Sequence, residues 1–294
     1  METNSIKKIL ISTGLTEENK ITHYFDRVRD SKDISVLKCE KTGLFFLSKT
    51  NHIDITNYRN KIKFRYFGNN SRIEAIKSGY GDTKRRSNLI RKIVYGKRWL
   101  DIGTGAGGIL DELKDSALEC SAVEPNNIMR NKLKKLGYKV HKSSKQAKKN
   151  YYDVITLFHV FEHMKHPIKE LKLIKLLMKK NSQLIIEVPH ASDFLLKTLN
   201  LHEFKKFTFW SEHLILHVKK SLTTFLKLSN FEVEKIFGVQ RYSLVNHLHW
   251  IFKKKPGGHI YWNFMRLKIL EKLYEKFLSL INQNDTLIVF ARKK

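Results

Sequence analysis

Residues 98–110, RWLDIGTGAGGIL, constrain the fold of this chain more than any other stretch. Trp99-Leu100-Asp101-Ile102 is a short apolar run of the kind that forms a buried strand, and it runs straight into Gly103-Thr104-Gly105-Ala106-Gly107-Gly108. Ile109, Leu110 and Leu113 follow at helical spacing. A strand, a glycine turn and the first turn of a helix are therefore predicted. Glycine tolerates tight, positive-φ backbone. With no Cβ in the way, a bulky ligand can lie against the main chain beside the N–H groups that open the helix. A nucleoside-type cofactor is the natural occupant.

The glycines alone leave two cofactors open. Gly103, Gly105 and Gly108 satisfy the dinucleotide pattern G-x-G-x-x-G, with Glu124 at about the spacing of a ribose-binding acid. Gly103, Gly105 and Gly107 equally satisfy D-x-G-x-G-x-G, led by Asp101. With that acid two residues before the first glycine, the chain resembles the class I S-adenosylmethionine-dependent methyltransferases. The resemblance implies that Asp101 helps hold the methionine end of the cofactor, whose ammonium a nicotinamide dinucleotide lacks. It implies further contacts from Gly103, Thr104, Gly105 and Gly107, from Glu124 and Pro125 after the second strand, and from Phe158 and His159 after the fourth. The implied cofactor is S-adenosylmethionine, leaving as S-adenosylhomocysteine.

From residue 98 onward strands and helices alternate, which implies a parallel sheet covered on both faces. The expected fold is α/β: a Rossmann-like, seven-stranded, mostly parallel sheet. Its strands are placed at 99–102, 119–124, 137–140, 153–158, 182–188, 231–237 and 286–291. Residues 1–84 read as an N-terminal hairpin and helical cap, and 85–294 as the methyltransferase domain with a helical insertion at about 238–284. In the cap, 34–39 and 43–47 look like two strands around a turn. LKCEKTGLFFL resembles a zinc-binding hairpin found before the catalytic domain in some relatives, but Thr42 stands where a C-x-x-C pair needs its second cysteine. No metal is expected there. Residues 61–97 read as basic and helical, interrupted by the loop 79–86, where Tyr80 or Arg86 could reach cofactor or substrate.

The run DVITLFHVFEHMKHP, 153–167, closely resembles a methyltransferase subgroup that includes quinone-biosynthetic and sugar-modifying enzymes with a Glu-His pair. Ligands in open α/β sheets collect at the carboxyl ends of strands, where this run begins. An imidazole near neutral pKa can take a hydroxyl proton as a methyl group transfers, and a neighbouring carboxylate can orient it. His163 is the preferred base, His159 the second choice, and Glu162 the orienting acid; the pair could instead only shape the loop. His190, after the fifth strand, sits where substrate-facing residues are expected. Residues 191–217, rich in aromatics and histidines, read as a lid over the substrate. Their histidine count, His213 and His217 included, is weak evidence for a metal without metal-ligand geometry, and no metal site is expected.

The run from Gln240 to His259 resembles an insertion found in bacterial methyltransferases of surface-polysaccharide pathways. Arg241, Tyr242 and Asn246 are its substrate-binding candidates: Arg suits phosphate and Asn suits hydroxyls. Behind it, Leu267, Leu270, Tyr274, Phe277, Leu278 and Ile281 share one helical face. The expected acceptor is a small anionic or sugar-like molecule, methylated on oxygen in cell-surface polysaccharide (capsule) biosynthesis. A quinone or lipid acceptor is the alternative within the same chemistry, and RNA a further one.

The net charge of +28 over 294 residues points to an anionic partner, or to a lysine-rich composition alone. A stable nucleic-acid complex is not expected, because neither an N-P-P-[FY] motif nor a cysteine placed for pyrimidine chemistry is present. No apolar run of 18 residues and no secretion-type leader stand in the sequence, so a cytoplasmic protein with at most peripheral membrane contact is expected. The two cysteines, Cys39 and Cys120, imply no disulfide framework.

Overall fold

The computed structural model describes residues 4–54 and 71–294. The first ten residues of the basic 61–97 segment lie outside them.

Seven strands form the main sheet: β4 (Arg98–Ile102), β5 (Glu119–Val123), β6 (Lys139–His141), β7 (Tyr152–Phe158), β8 (Met178–Pro189), β10 (Phe231–Val239) and β11 (Thr286–Lys293). Their order across the sheet is β10-β11-β8-β7-β4-β5-β6. β6, β5, β4, β7 and β8 run parallel, while β11 is antiparallel to both neighbours. This is the mostly parallel, Rossmann-like α/β sheet that the alternating elements predict. β4 and β7 are mostly apolar, with buried Asp101 and Thr156 as the interior exceptions, because both faces are covered, as an interior parallel strand requires. Trp99, Leu100, Ile155, Leu157, Ile185 and Ile186 are fully buried. Chain order reverses between β4 and β7, so the ends of these two strands open the crevice where such sheets bind ligands.

The N-terminal segment joins this body instead of standing apart. Asn4 caps the Ser5–Ser12 helix by accepting from the Ile6 and Lys7 amides. Beyond that helix, β1 (Ile21–Phe25), β2 (Val36–Cys39) and β3 (Phe45–Leu47) form an antiparallel sheet. The predicted hairpin is there, with the Cys39 thiol buried against the Leu15 carbonyl at 3.4 Å. Its fourth strand is β9 (Ile215–Leu216), from the segment expected to be a lid. Phe45 pairs with Leu216 and Phe46 with Ile215, and Phe209 packs on Tyr24, Phe25 and Phe45. Residues 191–217 are thus in large part the seam between the two sheets, because their aromatics have a core to fill. One continuous core runs from Ile6 and Val36 to Leu100 and Leu157. The boundary expected at residue 85 falls inside a helix, Tyr80–Val94.

That helix corrects the loop reading of 79–86. Asp82 sits in its first turn, where a carboxylate complements the helix dipole. Helical spacing then brings Asp82, Arg85 and Arg86 to one face. Tyr80 points outward, half exposed.

The insertion holds the Leu244–Lys253 helix, two short turns, and the Lys268–Leu280 helix. Of the shared apolar face of the last helix, Leu278 is buried, but Leu267, Leu270, Phe277 and Ile281 stay exposed. Among the described residues, no helix is long and apolar enough to cross a membrane.

Candidate active site

The glycine turn has the geometry that its sequence demands. Gly103, Gly105 and Gly107 have φ of 75°, 56° and 75°. A Cβ at Gly103 would lie 2.3 Å from a methyl of Val160, and one at Gly107 would lie 2.6 Å from Leu133. The first contact locks the turn after β4 to the loop after β7. Thr104 is buried in the same turn.

Two acids close this cradle. The Glu124 carboxylate accepts from the Gly105 amide at 2.9 Å and from the Asn126 amide at 2.7 Å. Burial pushes it up to about 7 despite those two donors. Asp101 accepts from the Thr156 hydroxyl at 2.6 Å, and that hydroxyl itself accepts from the Trp99 indole N–H at 2.8 Å. Burial pushes Asp101 up to about 6, with Thr156, Thr104 and Arg86 opposing. A desolvated carboxylate held by the Thr156 hydroxyl suits an ammonium ligand. A second carboxylate beside an amide-lined turn suits a ribose. Both features fit S-adenosylmethionine. Pro125, partly exposed, follows Glu124, and its carbonyl accepts from Arg130 at 2.7 Å.

The loop after β7 carries the second half of the site. His159 has φ +54°, a left-handed conformation uncommon away from glycine. Such strain persists where the surroundings over-determine it. Here they do: Nδ1 lies 3.2 Å from Glu162 Oε1, Nε2 lies 3.2 Å from Glu187 Oε1, and Arg241 Nη1 lies 3.1 Å from the same Nε2. With both ring nitrogens engaged, His159 is positioned as a strut and not as a free base. His163 is freer. Its Nδ1–H donates to the Glu212 carbonyl at 2.7 Å, which leaves the Nε2 lone pair facing Glu162 Oε1 at 4.0 Å. His213 Nε2 is also 4.0 Å from that oxygen. Glu162 is wholly buried. Burial pushes its carboxyl up, and the histidines around it outweigh burial, leaving it at about 2.

The largest feature absent from the sequence reading is centred on Glu187, near the end of β8. This fully buried carboxylate accepts from Arg85 at 2.9 Å on each oxygen. Arg86 donates to Oε1 at 2.9 Å from Nε and at 2.6 Å from Nη2. Burial opposes its charge, but Arg86, His159 and Arg85 hold it well below the usual carboxylate range. The Arg86 guanidinium also lies 5.1 Å from the centre of the Phe158 ring at the end of β7. A lone acid inside the apolar run Leu184–Val188 needs buried cations as partners, and that was the available signal. Which cations these are depends on contacts about a hundred residues away.

The substrate candidates divide. Arg241 reaches the site: it pairs with Asp82 and touches His159, with its backbone amide on Asp285. Tyr242 is on the rim, partly exposed, with the Arg241 guanidinium over its ring. Asn246 instead lies in helix packing, its Cα against Gly258 and its side-chain oxygen 3.5 Å from His259. The amphipathic Leu244–Lys253 helix turns it inward. His190 is likewise interior, its Nδ1–H donating to the Asn284 carbonyl at 2.9 Å, and burial lowers it to about 4. Both read as structural groups, because each is almost fully buried.

Comparison with known proteins agrees with this geometry. Residues 80–236 match the family described as "Methyltransferase domain", and the chain belongs to that family. A SAM-dependent methyltransferase from Archaeoglobus fulgidus shares 21% identity and a TM-score of 0.52, covering 78% of this chain and 96% of its own. A second from Thermotoga maritima gives 17% and 0.50, covering 76% and 94%. A methyltransferase of Haloferax volcanii, solved with the Trm112 activator, gives 12% and 0.53, covering 75% and 93%. No match was found among curated proteins. The protein is a methyltransferase that uses S-adenosylmethionine.

Proposed function

We propose that this methyltransferase methylates oxygen, on a sugar-like or phosphorylated acceptor used in cell-surface polysaccharide biosynthesis. One observation carries the oxygen reading. A buried carboxylate, Glu162, stands beside an imidazole, His163, whose Nε2 is free, in the loop that packs on the cofactor turn through Val160 and Gly103. A hydroxyl must lose its proton as it is methylated, and with no other group present His163 receives it. The acceptor class is supported by Arg241, which the insertion delivers to His159 at the end of β7. The direct test is a radiolabelled methyl-transfer assay against nucleotide sugars, phosphorylated sugars and a quinol. Label in the quinol alone would replace the sugar reading with the quinone one.

Glu124 holds the ribose in this reading, and its raised pKa makes that measurable. Hydroxyls donate to the ionised carboxylate, so S-adenosylhomocysteine affinity is expected to climb with pH and level off above about 7. The sign for stability is opposite. A folded pKa raised from 4.5 means that, without cofactor, this group's contribution to stability is lost as pH rises through about 7. Calorimetry from pH 6 to about pH 8 checks the first effect. Glu124→Gln is expected to flatten the profile, and an unchanged profile would assign the pH dependence to another group.

A lipid-borne acceptor is favoured by the outer face of the insertion. Phe264, Ile269 and Leu280 are more than two-thirds exposed there, among Lys253, Lys254, Lys268, Lys272 and Lys276. Exposed apolar side chains and exposed lysines on the same segments fit the surface of an anionic bilayer. The protein is expected to sediment with phosphatidylglycerol vesicles, to release at high salt, and to ignore phosphatidylcholine. Phe264→Asp with Ile269→Asp should abolish the sedimentation; retention by that double variant would move the contact elsewhere.

A further inference from the structure

We propose that Glu162, His163 and His213 form a binding site for one divalent transition cation, of the Zn²⁺, Co²⁺ or Mn²⁺ type. This deepens the oxygen-methylation reading and rests on it. One ligand atom from each residue lies within 4.8 Å of the others. Both imidazole Nε2 atoms stand 4.0 Å from the same carboxylate oxygen. Metal bonds near 2.1 Å would bring these atoms to about 3.0–3.5 Å apart, a closure within reach of small side-chain rotations.

Three further observations favour a cation over simple packing. Glu162 Oε1 lies against the His159 ring at 3.2 Å, but its second oxygen, Oε2, is fully buried with no hydrogen-bond partner, an expensive state that a cation bound by both oxygens would relieve. The His163 Nδ1–H bond to the Glu212 carbonyl fixes the tautomer that offers Nε2 to a metal, the usual outer support of a histidine ligand. The two ligand segments are also held together by main chain: the Leu214 amide donates to the Glu162 carbonyl at 3.0 Å. The Trp210 indole N–H, buried without a partner, lies beside the His163 and His213 rings.

Two imidazoles and one carboxylate select a first-row transition ion over Mg²⁺ or Ca²⁺, which prefer all-oxygen sets. Three protein ligands leave positions open for the acceptor. A hydroxyl bound there is acidified and loses its proton to solvent water. Its oxygen then forms the bond to the methyl carbon, while the carbon–sulfur bond breaks and its electron pair stays on sulfur. In the loaded protein the His163 lone pair is therefore a ligand, and the cation replaces it as the group that activates the hydroxyl. An acceptor with two adjacent hydroxyls suits such a site best.

The test uses the full chain, stripped with chelator and titrated with Co²⁺ alone. One equivalent should bind with visible d–d absorption, and Zn²⁺ should displace it. Glu162→Gln and His213→Ala should each weaken binding at least about tenfold, while His23→Ala, a surface control, should not. Should His213→Ala fail to fold, His163→Ala, on the more exposed ring, serves in its place. Absence of binding, binding unchanged in the variants, or a thiolate charge-transfer band placing the ion on a cysteine would each overturn the site. S-adenosylhomocysteine binding to the same samples reports the fold separately. Normal nucleoside binding without cobalt removes only the cation site. Cobalt binding together with a methylated amine as product removes the oxygen reading instead.

Discussion

Replacing Glu187 with alanine is expected to destabilise the protein by about 3–5 kcal/mol, the cost of leaving buried charges without their partner. Its carboxylate is the only acid contacted by both Arg85 and Arg86 among the described residues. His159 Nε2 also rests against it. Removal leaves the Arg86 guanidinium without its acid and Arg85 with Asp82 alone, 3.1 Å away, both against an apolar strand, and frees the strained His159 ring. The loss should be legible as a lower midpoint in urea unfolding with little change in slope, since the surface exposed on unfolding is the same. Glu187→Gln keeps the shape and an acceptor oxygen but not the charge, and should fall between wild type and alanine. Cofactor affinity should fall along with stability, because Arg86 orders Phe158 and acts on Asp101. A change below about 1 kcal/mol, the size of an exposed ion pair, would mean that solvent reaches this cluster.

The same residue shows where the sequence stops being legible. The sheet could be read from apolar runs, and the cradle from local spacing, because Asp101, the glycines and Glu124 act through neighbours on consecutive elements. Glu187 is as local a signal as Asp101, an acid in an apolar strand. Its meaning, however, depends on Arg85 and Arg86, which sit in a segment that reads as a basic loop. The pairing of β3 with β9 was hidden for a related reason. Two residues of strand carry no periodicity, and aromatics at 204–210 suit a lid or a core equally well until Tyr24, Phe25 and Phe45 are seen against them. Arg241 lies beside Asp82 and His159, while Asn246, five residues on, is turned inward by the helix that begins between them. A polar residue on an amphipathic helix faces the core or the ligand according to packing, which spacing alone does not encode.

Loss of the His163 ring is expected to slow methyl transfer by roughly 10²–10⁴-fold, the range for removing a positioned proton acceptor. The affinity for S-adenosylhomocysteine should stay within about twofold, because the cradle proposed to hold the cofactor is built from Asp101, Glu124 and the turn between them, and a rate effect of that size would exceed the binding effect by several kcal/mol. The structure supports this separation. His163 touches Glu212, Trp210 and His213, all in the segment that seams the two sheets, and contacts none of the cradle residues. A merely structural His163 would behave differently: loosening the Glu212 contact would shift the seam, lower stability, and change acceptor and cofactor binding together. Single-turnover rates with bound cofactor, set beside unfolding midpoints, separate the two cases. A proton acceptor or ligand gives a slow, stable, cofactor-binding variant. A rate loss under about threefold would leave His163 as packing. Glu162→Gln should then be compared, since it keeps the shape of the buried group and removes the charge that the imidazole faces. If both variants lose rate to the same extent and their double variant loses no more, the two side chains act as one unit, as groups sharing one proton or one cation must.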